Sequence, residues 1–236
     1  MLRIGHRGAP GNPRHGENTI CSFWQALWKG ADALEFDVRR CGSGELVVIH
    51  DCDTFRTTDI HGNVNEILFS ELSRLDAGFG QQIPTLQSVL EQFGNRCLLN
   101  IELKEAGIAD DVLSLIRQYS LAHGVIVSAF DHDDNDPDAN SSWEDLKKFS
   151  RTICTAFLAT KSKICRMGEM NFVNTALAQG ALAVHPQDTA TTPSLVSHAH
   201  KFGLLVFVWT VNDPREIARF KAMGVDGIFS DFPERL

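Results

Sequence analysis

The chain has 236 residues, 43% of them apolar and 22% charged. These are ordinary globular values, which argue against a disordered chain, and the length is enough to bury a core without disulfides or metals as staples. It lies between one and two average domains, although α/β barrels fill roughly 200–250 residues as one unit. Lys+Arg number 22 against 30 Asp+Glu, a net charge of −8. That argues against a chain-wide nucleic-acid footprint and leaves room for a local basic site.

The opening MLRIGHRGAP lacks the apolar stretch a signal peptide needs. A first strand is expected over Leu2–His6, then an amphipathic helix over Thr19–Trp28 introduced by Asn18. A second strand follows at Ala33–Val38. Leu46–His50 is strand-like but begins only seven residues later. A parallel crossover needs about a dozen residues or more, so residues 33–50 read as a strand, a Gly-Ser-Gly turn and a return strand. An irregular excursion then leads to the next helix at Thr85–Phe93. Further strands are expected at Leu98–Leu103, Val125–Phe130, Ile153–Leu158, Ala181–Val184, Leu204–Trp209 and Val225–Phe229. Helices between them are expected at Ala109–Ser120, Ser142–Phe149, Gly168–Gln179, Pro193–Phe202 and Pro214–Met223. Asp131–Asn140, rich in aspartate, reads as a solvated loop.

The strand runs are nearly continuously apolar, as in parallel sheets buried on both faces. Eight such strands with helices between them predict an α/β fold, a (β/α)8 TIM barrel. The chain reads as a single domain, 1–236, with an insertion at about 45–82. A doubly wound sheet is the alternative, disfavoured because no GxGxxG turn follows the first strand. The longest apolar run, Leu204–Trp209, is far short of the ~18 residues of a membrane span. The six cysteines contain no CxxC pair and are expected to be reduced thiols of a cytoplasmic protein.

Barrel active sites lie at the C-terminal ends of the strands. Glu35 and Asp37 are two apart on one strand and so share a face. Two like charges inside an apolar run are costly to desolvate. A divalent cation removes that cost, and Glu102 at the end of the next barrel strand supplies a third oxygen. An all-carboxylate set suits Mg²⁺, Ca²⁺ or Mn²⁺. The alternative is an ion-paired cluster with Arg39 or Lys104. His6 and His50 end strands on the same rim and suit acid–base work. Arg7 and Lys104 add positive charge there, suited to phosphate. Ser128, His185 and Trp209 end other strands and are candidate substrate contacts.

Gly5-His6-Arg7-Gly8, Glu17-Asn18-Thr19, Leu34-Glu35-Phe36-Asp37-Val38 and Gly44 through Asp51 occur in order. They are followed by Arg56-Thr57-Thr58, Leu75-Asp76-Ala77-Gly78, Ile83-Pro84-Thr85-Leu86, Leu99 through Lys104, Trp209-Thr210-Val211-Asn212 and Gly227 through Asp231. This ordered set resembles the glycerophosphodiester phosphodiesterase family, of the small cytosolic bacterial type, over almost the whole chain. The resemblance implies a phosphodiesterase barrel with an insertion after strand two. It implies that Glu35, Asp37 and Glu102 hold the metal, that His6 and His50 act as general base and general acid, and that Arg7 and Lys104 approach the phosphate. The turn after strand two, the short stretch between Gly78 and Ile83 and the acidic loop depart from the family pattern, and bear on the alcohol-side pocket.

The expected reaction is hydrolysis of a small-molecule glycerophosphodiester, such as glycerophosphocholine or glycerophosphoethanolamine, to sn-glycerol 3-phosphate and an alcohol. Neither nucleic acid nor an integral membrane segment is expected. A lysophospholipase D-type activity is the nearest alternative. A metal-dependent barrel lyase or aldolase would lack a use for both histidines, and so would a non-catalytic phosphate-binding module.

Overall fold

In the computed structural model, eight parallel strands close on themselves. The residues described are 1–11, 16–58, 60–121, 124–131, 143–149 and 152–236. Strand β1 (Leu2–Gly5) leads into helix α1 (Ile20–Trp28) and β2 (Ala33–Arg40). β3 (Leu46–Val48) returns antiparallel to β2, pairing Val38 with Val48. The excursion carries two single-turn helices, α2 (Phe55–Thr58) and α3 (Phe69–Leu72), before α4 (Leu86–Phe93). The order continues β4 (Leu98–Leu103), α5 (Ala109–Gln118), β5 (Val125–Phe130), α6 (Trp143–Leu146) and β6 (Cys154–Ala159). Then come α7 (Lys161–Met167), α8 (Glu169–Ala178), β7 (Ala183–Pro186), α9 (Pro193–Lys201), β8 (Leu205–Val208), α10 (Pro214–Met223) and β9 (Gly227–Ser230). Pairing of β1 with both β9 and β2 closes the ring, and β3 hangs on β2 outside it. The expected barrel, with its return strand after strand two, is therefore the observed fold.

Helix starts follow local chemistry. Thr19 caps α1 by accepting from the Ser22 amide at 3.2 Å, and the Ser22 hydroxyl accepts from the Thr19 amide in return, a reciprocal box that satisfies two orphan donors. Thr192-Pro193 and Asp213-Pro214 place a cap before a proline at α9 and α10. α7 was not expected from the sequence. Only Ile164 of its residues is buried, so it shows no apolar stripe. The segment expected to be a helix over Ser142–Phe149 yields only the short α6. The acidic loop lies outside the described residues beyond Asp131, whose carboxylate accepts from Lys163 at 2.6 Å.

Strand alternation divides the apolar residues into two layers. Outward residues such as Phe36, Leu99, Val127 and Val184 pack under the helices. Phe36 lies against Phe23 with centroids 5.6 Å apart, and Phe23 against Phe93 at 5.7 Å. Inward residues Ile4, Ala33, Ile126, Ala156, Ala183, Phe207 and Phe229 form the floor of the barrel. Phe36 thus anchors the strand whose inward neighbours are Glu35 and Asp37. The excursion packs on its own cluster, Cys41, Val47, Ile49, Val64, Leu72, Ala77 and Ile83, which holds the end of β3 against the barrel rim. Among the described residues no helix is long and apolar enough to cross a membrane.

Candidate active site

The site begins one step above the apolar floor. His6 follows β1, and its amide donates to the Ser230 carbonyl at 3.0 Å, extending the β1–β9 pairing by one residue. The chain then turns sharply. Arg7 has φ 52° and Gly8 φ 90°. A side chain at Gly8 would meet the Ser22 carbonyl carbon at 2.7 Å, so this turn requires glycine. The turn aims the Arg7 amide at Glu35 Oε2 (2.8 Å) and its guanidinium at Glu17 (3.0 Å) and Asp37 (3.4 Å).

β2 and β4 pair Asp37 with Glu102 and Glu35 with Asn100. Carboxylate oxygens of Glu35, Asp37 and Glu102 all lie within 4.8 Å of one another, and all three residues are buried. Lys104 Nζ donates to Glu102 at 2.9 Å and stands 3.9 Å from Asp37. The Asn18 amide donates to Asp37 at 2.8 Å. Arg39 is directed elsewhere, to the His50 carbonyl at 2.8 Å and to Glu105. Burial, then the charges of Asp37 and Glu102, push Glu35 well above the usual carboxylate range. Asp37 is equally buried, but the charges of His50, Arg7 and Lys104 and the Asn18 hydrogen bond outweigh burial and hold it below that range. Burial opposes the charge of Lys104, yet Glu102 and Asp37 keep its pKa raised. One Glu35 oxygen, Oε1, is buried with no hydrogen-bond partner among the described residues. This set fits a hard divalent cation: three buried oxygen donors converge, and one is left unsatisfied by protein.

Each rim histidine is braced by a carboxylate. His6 Nδ1 lies 2.7 Å from Asp231, which accepts from Asn212 at 2.6 Å. His50 Nδ1 lies 2.6 Å from Asp51. Arg56 grips Asp51 with two bonds (2.6 and 3.0 Å) and Glu17 with two more (2.9 and 2.6 Å). Burial would raise Asp51 and Asp231, but hydrogen bonds to their histidines and further partners hold both below the ordinary range. His50 Nε2 lies 3.1 Å from Lys104 Nζ. A charged chain thus runs His50–Asp51–Arg56–Glu17–Arg7–Asp37. In the sequence, Glu17 and Arg56 stand out only as parts of motifs, Asn18 as the start of a helix, and Asn212 and Asp231 as strand-end residues. The signal available for Asp51 and Asp231 was a carboxylate immediately after a strand end.

These groups open into a cavity of about 140 Å³. His6, Arg7, Glu35, His50, Asn100, Glu102 and Lys104 line one side, and Phe130, Leu158, Trp209, Thr210 and Phe229 the other. Trp209 stands edge-on to Phe130 at 5.3 Å, its indole N–H bonded to the His185 carbonyl at 2.7 Å. Ser128 and His185, expected to meet substrate, are not part of this wall. Ser128 is fully buried and accepts from Asn100 at 2.9 Å. His185 lies within β7, not beyond its end, and is fully buried between Phe207 and Phe229. Burial pushes its pKa down to about 3, leaving it neutral.

The chain matches the sequence model of the glycerophosphoryl diester phosphodiesterase family over residues 6–235. The chain belongs to this family. It is accordingly an enzyme, a phosphoric diester hydrolase. A glycerophosphodiester phosphodiesterase of Caldanaerobacter subterraneus subsp. tengcongensis is 35% identical over 248 residues, spanning all of this chain and 96% of the relative. The glycerophosphodiester phosphodiesterase structure from Thermotoga maritima superposes with a TM-score of 0.82 at 26% identity, covering 99% of this chain and 96% of the other. An Oleispira antarctica phosphodiesterase, solved with the product sn-glycerol-3-phosphate, gives a TM-score of 0.79 at 25% identity, covering 98% and 93%.

Proposed function

We propose that this chain hydrolyses glycerophosphodiesters, such as glycerophosphocholine or glycerophosphoethanolamine, to sn-glycerol 3-phosphate and an alcohol, with one divalent cation (Mg²⁺, Ca²⁺ or Mn²⁺) as cofactor. The observation that carries this is two carboxylate-braced histidines beside one buried three-carboxylate cluster, with His6, His50, Glu35 and Glu102 lining a single cavity. The product complex of the Oleispira antarctica phosphodiesterase supports the choice of substrate.

Glu35, Asp37 and Glu102 would hold the cation, which when bound would neutralise phosphoryl charge and polarise phosphorus. Arg7 and Lys104 face the same cavity and stabilise the charge that builds on the phosphoryl oxygens. His6 takes the proton of the nucleophile and His50 protonates the departing alkoxide. Asp231 and Asp51 fix the ring orientations through Nδ1, so proton transfer falls to the Nε2 atoms, that of His50 lying 3.1 Å from Lys104 Nζ. The nucleophile is water or the glycerol 2-hydroxyl, the latter giving a cyclic phosphate that water opens.

Phe130, Leu158 and Trp209 give the cavity an apolar side that favours a second reading, hydrolysis of lysophospholipids at the same site. The whole chain is read as one domain, with residues of about 45–82 as its insertion. Its six cysteines, with no CxxC pair among them, suit the cytosol as reduced thiols. A panel of glycerophosphodiesters and one lysophospholipid, each offered with Mg²⁺, Ca²⁺ and Mn²⁺ and followed by release of glycerol 3-phosphate and of alcohol, tests both readings. Turnover of the lysophospholipid alone would favour the second. No turnover of any diester would refute the first.

A further inference from the structure

We propose that Asn100 belongs to the cation site, presenting its side-chain carbonyl oxygen as a fourth protein oxygen beside Glu35, Asp37 and Glu102. The inference rests on the cation reading above and extends it to a residue outside the carboxylate set.

The β2–β4 register carries the argument. Glu35 pairs with Asn100 and Asp37 with Glu102. All four occupy alternate positions, so they share the inward face of two neighbouring strands. They form a two-by-two array of oxygen-bearing side chains. Asn100 is 2% exposed, and its Nδ2 donates to Ser128 Oγ at 2.9 Å. That bond turns the other end of the amide away from Ser128. Asn100 Oδ1 has no hydrogen-bond partner among the described residues, and Asn100 lines the same cavity as Glu35 and Glu102. Glu35 Oε1 is also left without a partner. Buried acceptors are ordinarily satisfied. Here two on adjacent strands border one cavity, next to two further carboxylates.

The chemistry of the fourth position supports this assignment. Amide carbonyls are ordinary ligands of hard divalent cations. A fourth carboxylate would add repulsion to a cluster that already relies on Arg7 and Lys104 for counter-charge. An amide adds an oxygen without adding charge. Ser128 then has a role as a positioning residue: its hydroxyl takes the amide N–H and so keeps the oxygen turned toward the carboxylates.

Calorimetric titration of the purified chain with Mg²⁺ and with Ca²⁺, in the absence of substrate, tests the proposal. Asn100→Leu keeps approximate volume and removes the oxygen; it is expected to weaken binding about 10-fold or more, within the range seen when supporting groups of metal sites are removed. Asn100→Asp retains an oxygen and is expected to bind at least as tightly as wild type. Ser128→Ala leaves the amide free to turn and is expected to fall between wild type and Asn100→Leu. Wild-type affinity in both Asn100→Leu and Ser128→Ala would overturn the assignment while leaving the three-carboxylate site intact. A raised KM in Asn100→Leu with unaltered cation affinity would do the same, placing the amide on the substrate. A wild-type chain that binds neither cation would overturn the underlying reading, and this inference with it.

Discussion

The two sides of the cavity are built from different strands and present different chemistry. The side formed by β1, β2, β4 and the segment after β3 carries the histidines, the carboxylates, Arg7 and Lys104. The side formed around β5, β6, β8 and β9 presents Phe130, Leu158, Trp209 and Phe229. On the charged side nearly every side chain is fixed by another: Glu17 by Arg56 and Arg7, Asp51 by Arg56, Asp231 by Asn212. On the apolar side, positions are fixed by packing, as in the Phe130–Trp209 edge contact. On the proposed function, the charged side would set the rate and the apolar side the preference for one substrate over another.

Mutations should separate the two sides. The largest effect is expected from the histidines. His6→Ala and His50→Ala should each lose on the order of 10²–10⁴-fold in kcat/KM with glycerophosphocholine; a wild-type rate in either would remove that residue from the proton transfers. Arg56→Ala should follow, at about 10–100-fold, because it frees Asp51 and Glu17 together. Added guanidinium should restore part of the kcat lost in Arg56→Ala, which a loss of fold would not permit. Trp209→Ala should act on the opposite side, raising KM on the order of 10-fold with kcat within about two-fold. A loss confined to kcat would contradict the assignment of that side to substrate preference.

The smallest effect on catalysis is expected below the cavity. His185 is neutral in the fold, with a pKa held down to about 3 by burial, against about 6.5 in the unfolded chain. The unfolded state therefore binds more protons as pH falls. Stability from this residue is full above about pH 6.5 and declines toward pH 3, by roughly 1.4 kcal/mol per pH unit. His185→Leu should leave turnover unchanged and lose about 2 kcal/mol less than wild type between pH 6.5 and 5, measured by urea unfolding. Identical pH dependence would contradict this account of the barrel interior.

The same contrast explains what was legible in the sequence. Glu35, Asp37 and Glu102 stood out because acids at alternate positions in an apolar run need a physical reason. The return strand stood out because seven residues cannot cross a barrel. His185 was misplaced because the continuous apolar run Ala181–Val184 does not mark where the ladder begins; β7 starts two residues later and carries His185 inside it. Asn18 read as the start of a helix, whereas Thr19 is the cap and Asn18, at φ 58°, turns its amide to Asp37. The partners Asp51–Arg56 and Asp231–Asn212 obey no period, since their contacts arise only when strand ends and loops meet on the rim. Asn100 was hidden for a different reason: an amide within an apolar strand offers no charge to explain until its neighbours are placed.

The central claim is that the charged side is a cation-dependent catalytic centre and not a self-sufficient ion-pair cluster. Stripping the wild-type chain with chelator, assaying glycerol 3-phosphate release from glycerophosphocholine, then adding back Mg²⁺, Ca²⁺ or Mn²⁺ tests it directly. The account predicts that turnover disappears on stripping and returns with at least one of the three cations, and that Glu35→Gln recovers far less. Full turnover in excess chelator would contradict it, because Arg7 and Lys104 alone would then balance the three carboxylates.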